Sequence, residues 1–315
     1  MDRILIEVPT WLGDCVMATS AIENIVKIYP RVKITIFGSV VASAVFVHHP
    51  NVECIIIDKS RQAKSRYWWL YNVAKKLEFD CVFSFRKRFS AKFFAYFIQT
   101  KSRYHYQRYT QNIQHQVVRY NDFINQSLGI NTEPNKLKIY TKFRDKTSKK
   151  ILGINPGASY GSAKRWYPRE FAKVASALSG EYDIVIFGGS DEVEIAHDIE
   201  QLLIEHGVTN YQNLASKTSV QDLIEKIAQL DLFITGDSGP MHIAAAFQVP
   251  TVAIFGPTKD DETSQWMNEK SEIVKQNLEC QPCMKRICPL QHHNCMKLIK
   301  ATDVLYRIQQ INTPI

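Results

Sequence analysis

The chain has 315 residues, 45% of them hydrophobic and 22% charged, proportions of a soluble globular protein with room for two ordinary domains. It contains no run of roughly eighteen apolar residues, which excludes a membrane-spanning helix. Its seven cysteines, an odd number with four crowded near the C-terminus, do not form the pattern of a secreted disulfide framework. A formal net charge of +8 and a pI near 9.0 predict an anionic partner: nucleic acid, a phospholipid surface or an anionic glycolipid.

In chain order, MDRILIEVPTWLGD lacks the basic-then-apolar plan of a signal peptide and reads directly as a strand over 4–8, so a cytoplasmic location is expected. A turn ending in Gly13-Asp14 then leads into an amphipathic helix that runs to residue 28. Strands are predicted over 32–37, 54–57 and 81–85, with helical stretches between them. Cys15, Cys54 and Cys81 fall in apolar runs and are expected in the core. TKFRDKTSKK, residues 141–150, is polar and without apolar period, as suits a linker. The alternation then restarts: strand 151–155, helix 168–178, strand 183–187, helix 192–205 and helix 221–229. A buried strand over 232–234 meets Asp237, Ser238 and Gly239, which can cap a short apolar helix with Pro240 in its first turn. A second buried strand ends at Gly256-Pro257, and residues 302–311 form a terminal helix.

This order predicts an α/β protein with two doubly wound parallel sheets. The expected architecture is two Rossmann-like halves, residues 1–145 and 151–300, facing each other across a cleft, with helix 301–315 crossing back onto the first. Chemistry is then expected in the turns at the carboxyl ends of the strands. Gly13 stands alone, which argues against a GxGxxG dinucleotide fingerprint. Asp14 is a carboxylate at a helix start; it either accepts a proton from a hydroxyl or favours the helix dipole. Asn155-Pro156-Gly157-Ala158-Ser159 offers a tight turn and a hydroxyl, and Lys164 and Arg165 offer charges that can neutralise a diphosphate, unless the segment is simply a solvated loop. Trp166, a large aromatic beside them, is expected to pack on something. Glu192, after Gly188-Gly189, either binds ribose hydroxyls or caps the next helix. The helix that starts at Gly239 points backbone N–H groups where a phosphate can bind, with His242 about one turn in.

Together these stretches resemble glycosyltransferase family 9, the bacterial lipopolysaccharide heptosyltransferases. WLGDCVMATSAIENI is similar to the acceptor-side motif of that family. NPGASYGSAKRWYPREFAKVA, the segment from Asn213 to Thr258 and CQPCMKRICPLQHHNCM are similar to its donor half. The Gly-Asp, Pro-Gly-Ala and Lys-Arg-Trp combination and the cysteine-rich tail resemble the second type of heptosyltransferase more than the first. The resemblance implies a GT-B fold, an ADP-heptose donor, inversion at the sugar carbon, and no cofactor or catalytic metal. It implies that Asp14 is the general base and that Ser159 and Lys164 contact the donor. Glu192 would meet the ribose, with Lys217 and Thr218 near the nucleotide. Asp237 would position the donor heptose, Ser238, Gly239 and Pro240 would present backbone to the diphosphate, and His242 would lie close by. The acceptor implied is the first heptose of an anionic lipopolysaccharide inner core, at the inner face of the inner membrane. The alternatives are a related transferase with another nucleotide sugar or core acceptor, and a non-catalytic nucleotide- or glycan-binding protein on the same fold.

A basic stretch from Arg61 to Arg108 is interleaved with Tyr67, Trp68, Trp69, Phe93, Phe94, Tyr104 and Tyr106. It either faces an anionic acceptor and membrane surface or consists of core aromatics and solvated cations. Arg86, Lys87 and Arg88, directly after a strand, are expected to bind the acceptor. No helix-turn-helix, RNP or zinc-finger pattern accompanies the charge, so a nucleic-acid partner is not expected. Cys280, Cys283, Cys288 and Cys295 contain one CxxC pair, but the remaining intervals fit no standard finger. A structural metal, a disulfide clip and plain reduced thiols all remain open.

Overall fold

The computed structural model of the chain describes residues 1–142 and 149–312. The expected linker, 141–150, therefore falls mostly outside the described residues. The chain divides into two compact units, Met1–Lys142 and Phe143–Ile315. The first contains β1 (Arg3–Glu7), α1 (Leu12–Ile28), β2 (Lys33–Gly38), α2 (Val40–Ser43), β3 (Val52–Ile57), α3 (Arg66–Ala74), β4 (Glu78–Ser84), α4 (Phe89–Tyr96), β5 (Gln99–His105) and α5 (Gln116–Leu128). The second contains β6 (Lys150–Asn155), α6 (Pro168–Leu178), β7 (Tyr182–Ile186), α7 (Val193–Glu205), β8 (Tyr211–Asn213), α8 (Val220–Ile227) and β9 (Leu232–Gly236). It continues through α9 (Gly239–Ala246), β10 (Thr251–Phe255), α10 (Asp260–Thr263), β11 (Ser271–Lys275), α11 (Asn294–Lys297) and α12 (Ala301–Asn312). Among the described residues no helix is long and apolar enough to cross a membrane.

All strand pairs in the first sheet are parallel, in the order β3-β2-β1-β4-β5. Such a sheet is covered on both faces, so its central strands read as unbroken apolar runs: Ile4, Leu5 and Ile6 of β1 are wholly buried. On one face α3 and α4 bring Leu70, Phe94 and Ala95 against Leu5, Phe37 and Val82, with Phe37 and Phe94 stacked at 4.0 Å. Each of the larger side chains contributes about 1.5–3 kcal/mol of burial. α1 packs with α5, and buried Asn24 donates to the Asn121 side-chain oxygen between them, 2.7 Å. Cys15 and Cys81 are buried as expected. Cys54 is not: it lies exposed on β3, an edge strand paired on one side only.

The second sheet is also parallel, in the order β11-β10-β9-β6-β7-β8. Trp166 is 2% exposed, packed edge-on to Phe171, and donates its indole N–H to the Ile299 carbonyl at 3.0 Å. The terminal helix, α12, sets Val304 and Ile308 into this same core. In each sheet the order of connection reverses once, between β1 and β4 in the first and between β6 and β9 in the second. A crevice opens at the carboxyl ends of the strands at such a reversal, which is where open α/β sheets bind ligands.

Candidate active site

In the first unit, Asp14 lies in the first turn of α1, directly after β1 at the reversal point. The Tyr120 hydroxyl, from α5, donates to Asp14 Oδ1 at 3.3 Å. Burial pushes the Tyr120 phenol well above its ordinary range, and the Asp14 charge pushes it the same way, so Tyr120 keeps its proton and orients the carboxylate. Nearby, Tyr106 accepts from the Gln116 amide at 3.0 Å and carries the Lys87 ammonium 4.9 Å above its ring.

Arg86, expected to meet an acceptor, is engaged by its own unit. Its Nε donates to the Val8 carbonyl at 2.7 Å, and its Nη1 lies 3.4 Å from Glu7 Oε1 and 3.2 Å from Asp58 Oδ2. Ser84 donates to Glu7 Oε2 at 2.5 Å. Burial raises the Glu7 carboxyl above its ordinary value against the opposing pull of Arg86 and Ser84. At Asp58 burial acts in the same upward direction, but hydrogen bonds from Ser60 and the Arg86 charge outweigh it and hold that carboxyl low. Arg86 thus ties the β1–α1 connection that carries Asp14 to β4 and to the loop after β3. Lys87 and Arg88 are exposed beside it, Arg88 at the start of α4.

In the second unit, the residues expected at the donor fall on loops after adjacent strands, β9, β6, β7 and β8, along one carboxyl edge. At the β6/β9 reversal the Lys164 ammonium lies 2.6 Å from Asp237 Oδ2 and donates to the Asp237 carbonyl at 2.8 Å. Both side chains are almost fully buried, 11% and 8% exposed. Lys164 also sits 5.0 Å over the Tyr160 ring. The expected cap on α9 is absent: Ser238 occupies the N-cap position, but its side chain makes no hydrogen bond to the helix. Its hydroxyl meets Thr235 Oγ1 at 3.1 Å and Asn155 Nδ2 at 3.3 Å instead. Asp237, Ser238, Gly239, Pro240 and buried His242 therefore gather at the head of α9, next to Lys164. That end of the helix carries partial positive charge.

Glu192 is held one strand further along, its carboxylate accepting from the Gly189 N–H at 2.8 Å. It lies flat against Gly157: a Cβ built on that glycine would come 1.9 Å from the Glu192 carboxyl carbon, so the close approach requires glycine. Ser159 is exposed on the same loop. Lys217 is exposed and donates to the Asn213 carbonyl at 3.0 Å, with Thr218 half-buried beside it, after β8 at the end of the row. The sequence does not single out Glu7, Asp58, Ser84, Tyr120 or Thr235; Asn155, read there only as the start of a tight turn, is the register partner of Thr235 on the neighbouring strand, a relation invisible along the chain.

The four C-terminal cysteines are all free thiols. Burial pushes Cys295 up to about 11, and neighbouring Cys283, Cys288 and Cys280 push it the same way. Close enough to feel one another, they still do not gather as ligands: among the described residues no group of three or more His, Cys, Asp or Glu is placed to hold a metal. The segment is anchored to the Lys164 loop, where His293 contacts the Ala163 carbonyl at 2.9 Å and the Tyr167 hydroxyl at 3.1 Å.

The family model described as glycosyltransferase family 9 (heptosyltransferase) matches residues 75–294. Lipooligosaccharide heptosyltransferase 2 of Campylobacter jejuni serotype O:6 is 42% identical, over 99% of this chain and 100% of its own length. The protein of the same name from serotype O:2 is 43% identical, over 98% of each. Among solved structures, Escherichia coli ADP-heptose lps heptosyltransferase II is similar with a TM-score of 0.79 at 21% identity, covering 98% of both chains. E. coli heptosyltransferase WaaC with ADP gives 0.78 at 15% identity, covering 98% of this chain and 99% of that one.

Proposed function

The chain belongs to glycosyltransferase family 9 and has the paired parallel sheets of the GT-B class, and from that premise we propose that it moves heptose from ADP-heptose onto the first heptose of a lipopolysaccharide or lipooligosaccharide inner core. The full-length identity to the two Campylobacter proteins supports the acceptor position. The observation that carries the donor reading is the buried Lys164–Asp237 pair at the uncapped head of α9, on the β6/β9 reversal.

In this reading Asp14 removes the proton from the acceptor hydroxyl as its oxygen attacks the anomeric carbon of the donor. The bond from that carbon to the ADP β-phosphate oxygen breaks, ADP leaves with the electron pair, and the configuration at the carbon inverts. Charge growing on the diphosphate is met by the Lys164 ammonium and the N–H groups at the start of α9. Asp237 holds Lys164 in place and faces the donor sugar, and Glu192 takes the ribose hydroxyls. Because the positive charge comes from these groups, the reaction is expected to run without a divalent cation. An anionic, lipid-anchored acceptor would bring the enzyme to the inner face of the inner membrane.

The test is a turnover assay with ADP-heptose and truncated, singly heptosylated core acceptor in the presence of a chelator. Release of ADP with one heptose added in inverted configuration is the expected result. Donor binding without transfer to this acceptor would redirect the assignment to another core position or to a binding protein; no donor binding at all would overturn the donor.

A further inference from the structure

The helices α3 and α4 do not bury all their aromatic side chains. Leu70 and Phe94 face the core, whereas Trp68, Phe89 and Tyr96 are 64%, 69% and 71% exposed. These rings are not scattered. Trp68 contacts Tyr71 at 5.5 Å, Tyr71 contacts Phe97 at 5.0 Å, and Phe97 contacts Phe93 at 4.9 Å. Phe93 meets Tyr67 at 5.0 Å, Tyr67 meets Phe89 at 5.9 Å, and Tyr96 joins the chain at Phe97, 5.1 Å away. One unbroken aromatic ridge thus runs across both helices.

Its electrostatic setting is one-sided. Between residues 59 and 121 the sequence carries fourteen Lys and Arg, against only Glu78 and Asp80. Both carboxylates lie at the amino end of β4, the opposite sheet edge from the start of α3 and α4. Arg61, Lys64, Arg88 and Lys92 are exposed, Lys64 lining the same hollow as Trp68 and Arg88 and Lys92 within three residues of Phe89, and Lys75 sits 4.9 Å over the Tyr71 ring. Contiguous exposed apolar area rimmed by charge of one sign marks an interaction surface.

We propose that this α3–α4 ridge is a membrane-docking surface, its Trp, Tyr and Phe side chains entering the headgroup region and its Lys and Arg side chains meeting anionic lipid. Amphipathic aromatics and a cation cluster are the pairing that binds such an interface. A nucleic-acid partner fits less well. Stacking platforms offer open ring faces, whereas Tyr67, Tyr71 and Phe93 spend theirs on edge-to-face contacts with one another and with Phe97. The start of both helices also lies at the carboxyl edge of the sheet, the edge that carries Asp14. The proposal deepens the functional reading above, because a lipid-anchored acceptor would be met from the side where the general base stands.

The test is co-sedimentation of the full chain with phosphatidylcholine vesicles, with and without phosphatidylglycerol, none containing acceptor. Binding is expected only with phosphatidylglycerol, weakening as salt is added. Trp68→Ala/Phe89→Ala and, separately, Lys64→Glu/Lys92→Glu are each expected to lower it about tenfold or more, with thermal melts and ADP affinity unchanged as evidence of folding. Equal binding by the variants, equal binding to neutral vesicles, or self-association through this face with no vesicle binding would overturn the proposal. Because the vesicles contain no acceptor, failed transfer beside intact vesicle binding would count against the functional reading alone.

Discussion

Lys164 and Asp237 place opposite charges 2.6 Å apart where little water reaches either. Removing one partner of such a pair strands the other, at a cost of about 3 kcal/mol or more, whereas replacing both with apolar groups of similar volume is nearly neutral. Lys164→Ala should therefore lower the melting temperature clearly, and Lys164→Met/Asp237→Leu should melt near wild type. Donor affinity should fall by roughly ten- to a hundredfold in both, because a charge-assisted contact to the diphosphate is gone. Calorimetric titration with ADP beside thermal melts separates the two effects. Glu7 gives a pH signature. Its native carboxyl holds its proton more tightly than the ordinary value of 4.5, chiefly through burial, so its contribution to stability is lost as pH rises from that value toward neutrality. Glu7→Gln does not titrate; melts across this range should show the wild type losing ground to the variant as pH increases. A difference that stays flat or grows the other way would contradict burial as the dominant effect.

At the scale of elements, the loop after β6 and the helix after β7 are coupled by one glycine. Gly157→Ala would drive its methyl into the Glu192 carboxylate, the mobile end of that side chain. The chain should fold with a loss of no more than about 1–3 kcal/mol, while ADP affinity drops because Glu192 has left the Gly189 N–H; unchanged affinity would remove Glu192 from the nucleotide site. The sequence predicted the elements unevenly, for a physical reason. The strand over 151–155, the helix over 168–178 and the buried strands at 4–8 and 232–234 all stand within a few residues of their predicted limits, because burial on both faces writes an apolar run. The strands that went unpredicted, β5, β8 and β11, are QTKSRYH, YQN and SEIVK, and each is an edge of its sheet. These three edge strands carry no such run, whereas β3, the remaining edge, is VECIII and is legible by its apolar end. The site divides in the same way. Asp14, Lys164, Glu192 and Asp237 stand in turns that chain order alone puts at strand ends. The pairing of Lys164 with Asp237 and the capture of Arg86 by Glu7 and Asp58 join residues dozens of positions apart, and only the folded sheet brings them together.

Over the whole molecule, the excess of cations between residues 59 and 121 is larger than the formal +8 of the entire chain, so the basic character belongs to the first unit. Exposed charges are screened by salt far more than a buried pair is. Raising ionic strength should therefore increase KM for the anionic acceptor severalfold and KM for ADP-heptose much less, as initial-rate kinetics across a salt series would show; equal increases would mean the exposed cations do not guide the acceptor. The central claim, that the donor is held by the second unit while Asp14 of the first supplies the base, is tested most directly by titrating ADP-heptose into Asp14→Asn and measuring kcat on the same preparation. The account predicts a donor Kd within about twofold of wild type and a kcat lower by about a thousandfold, the scale of a lost general base. Turnover at the wild-type rate, or loss of donor binding along with it, would contradict it.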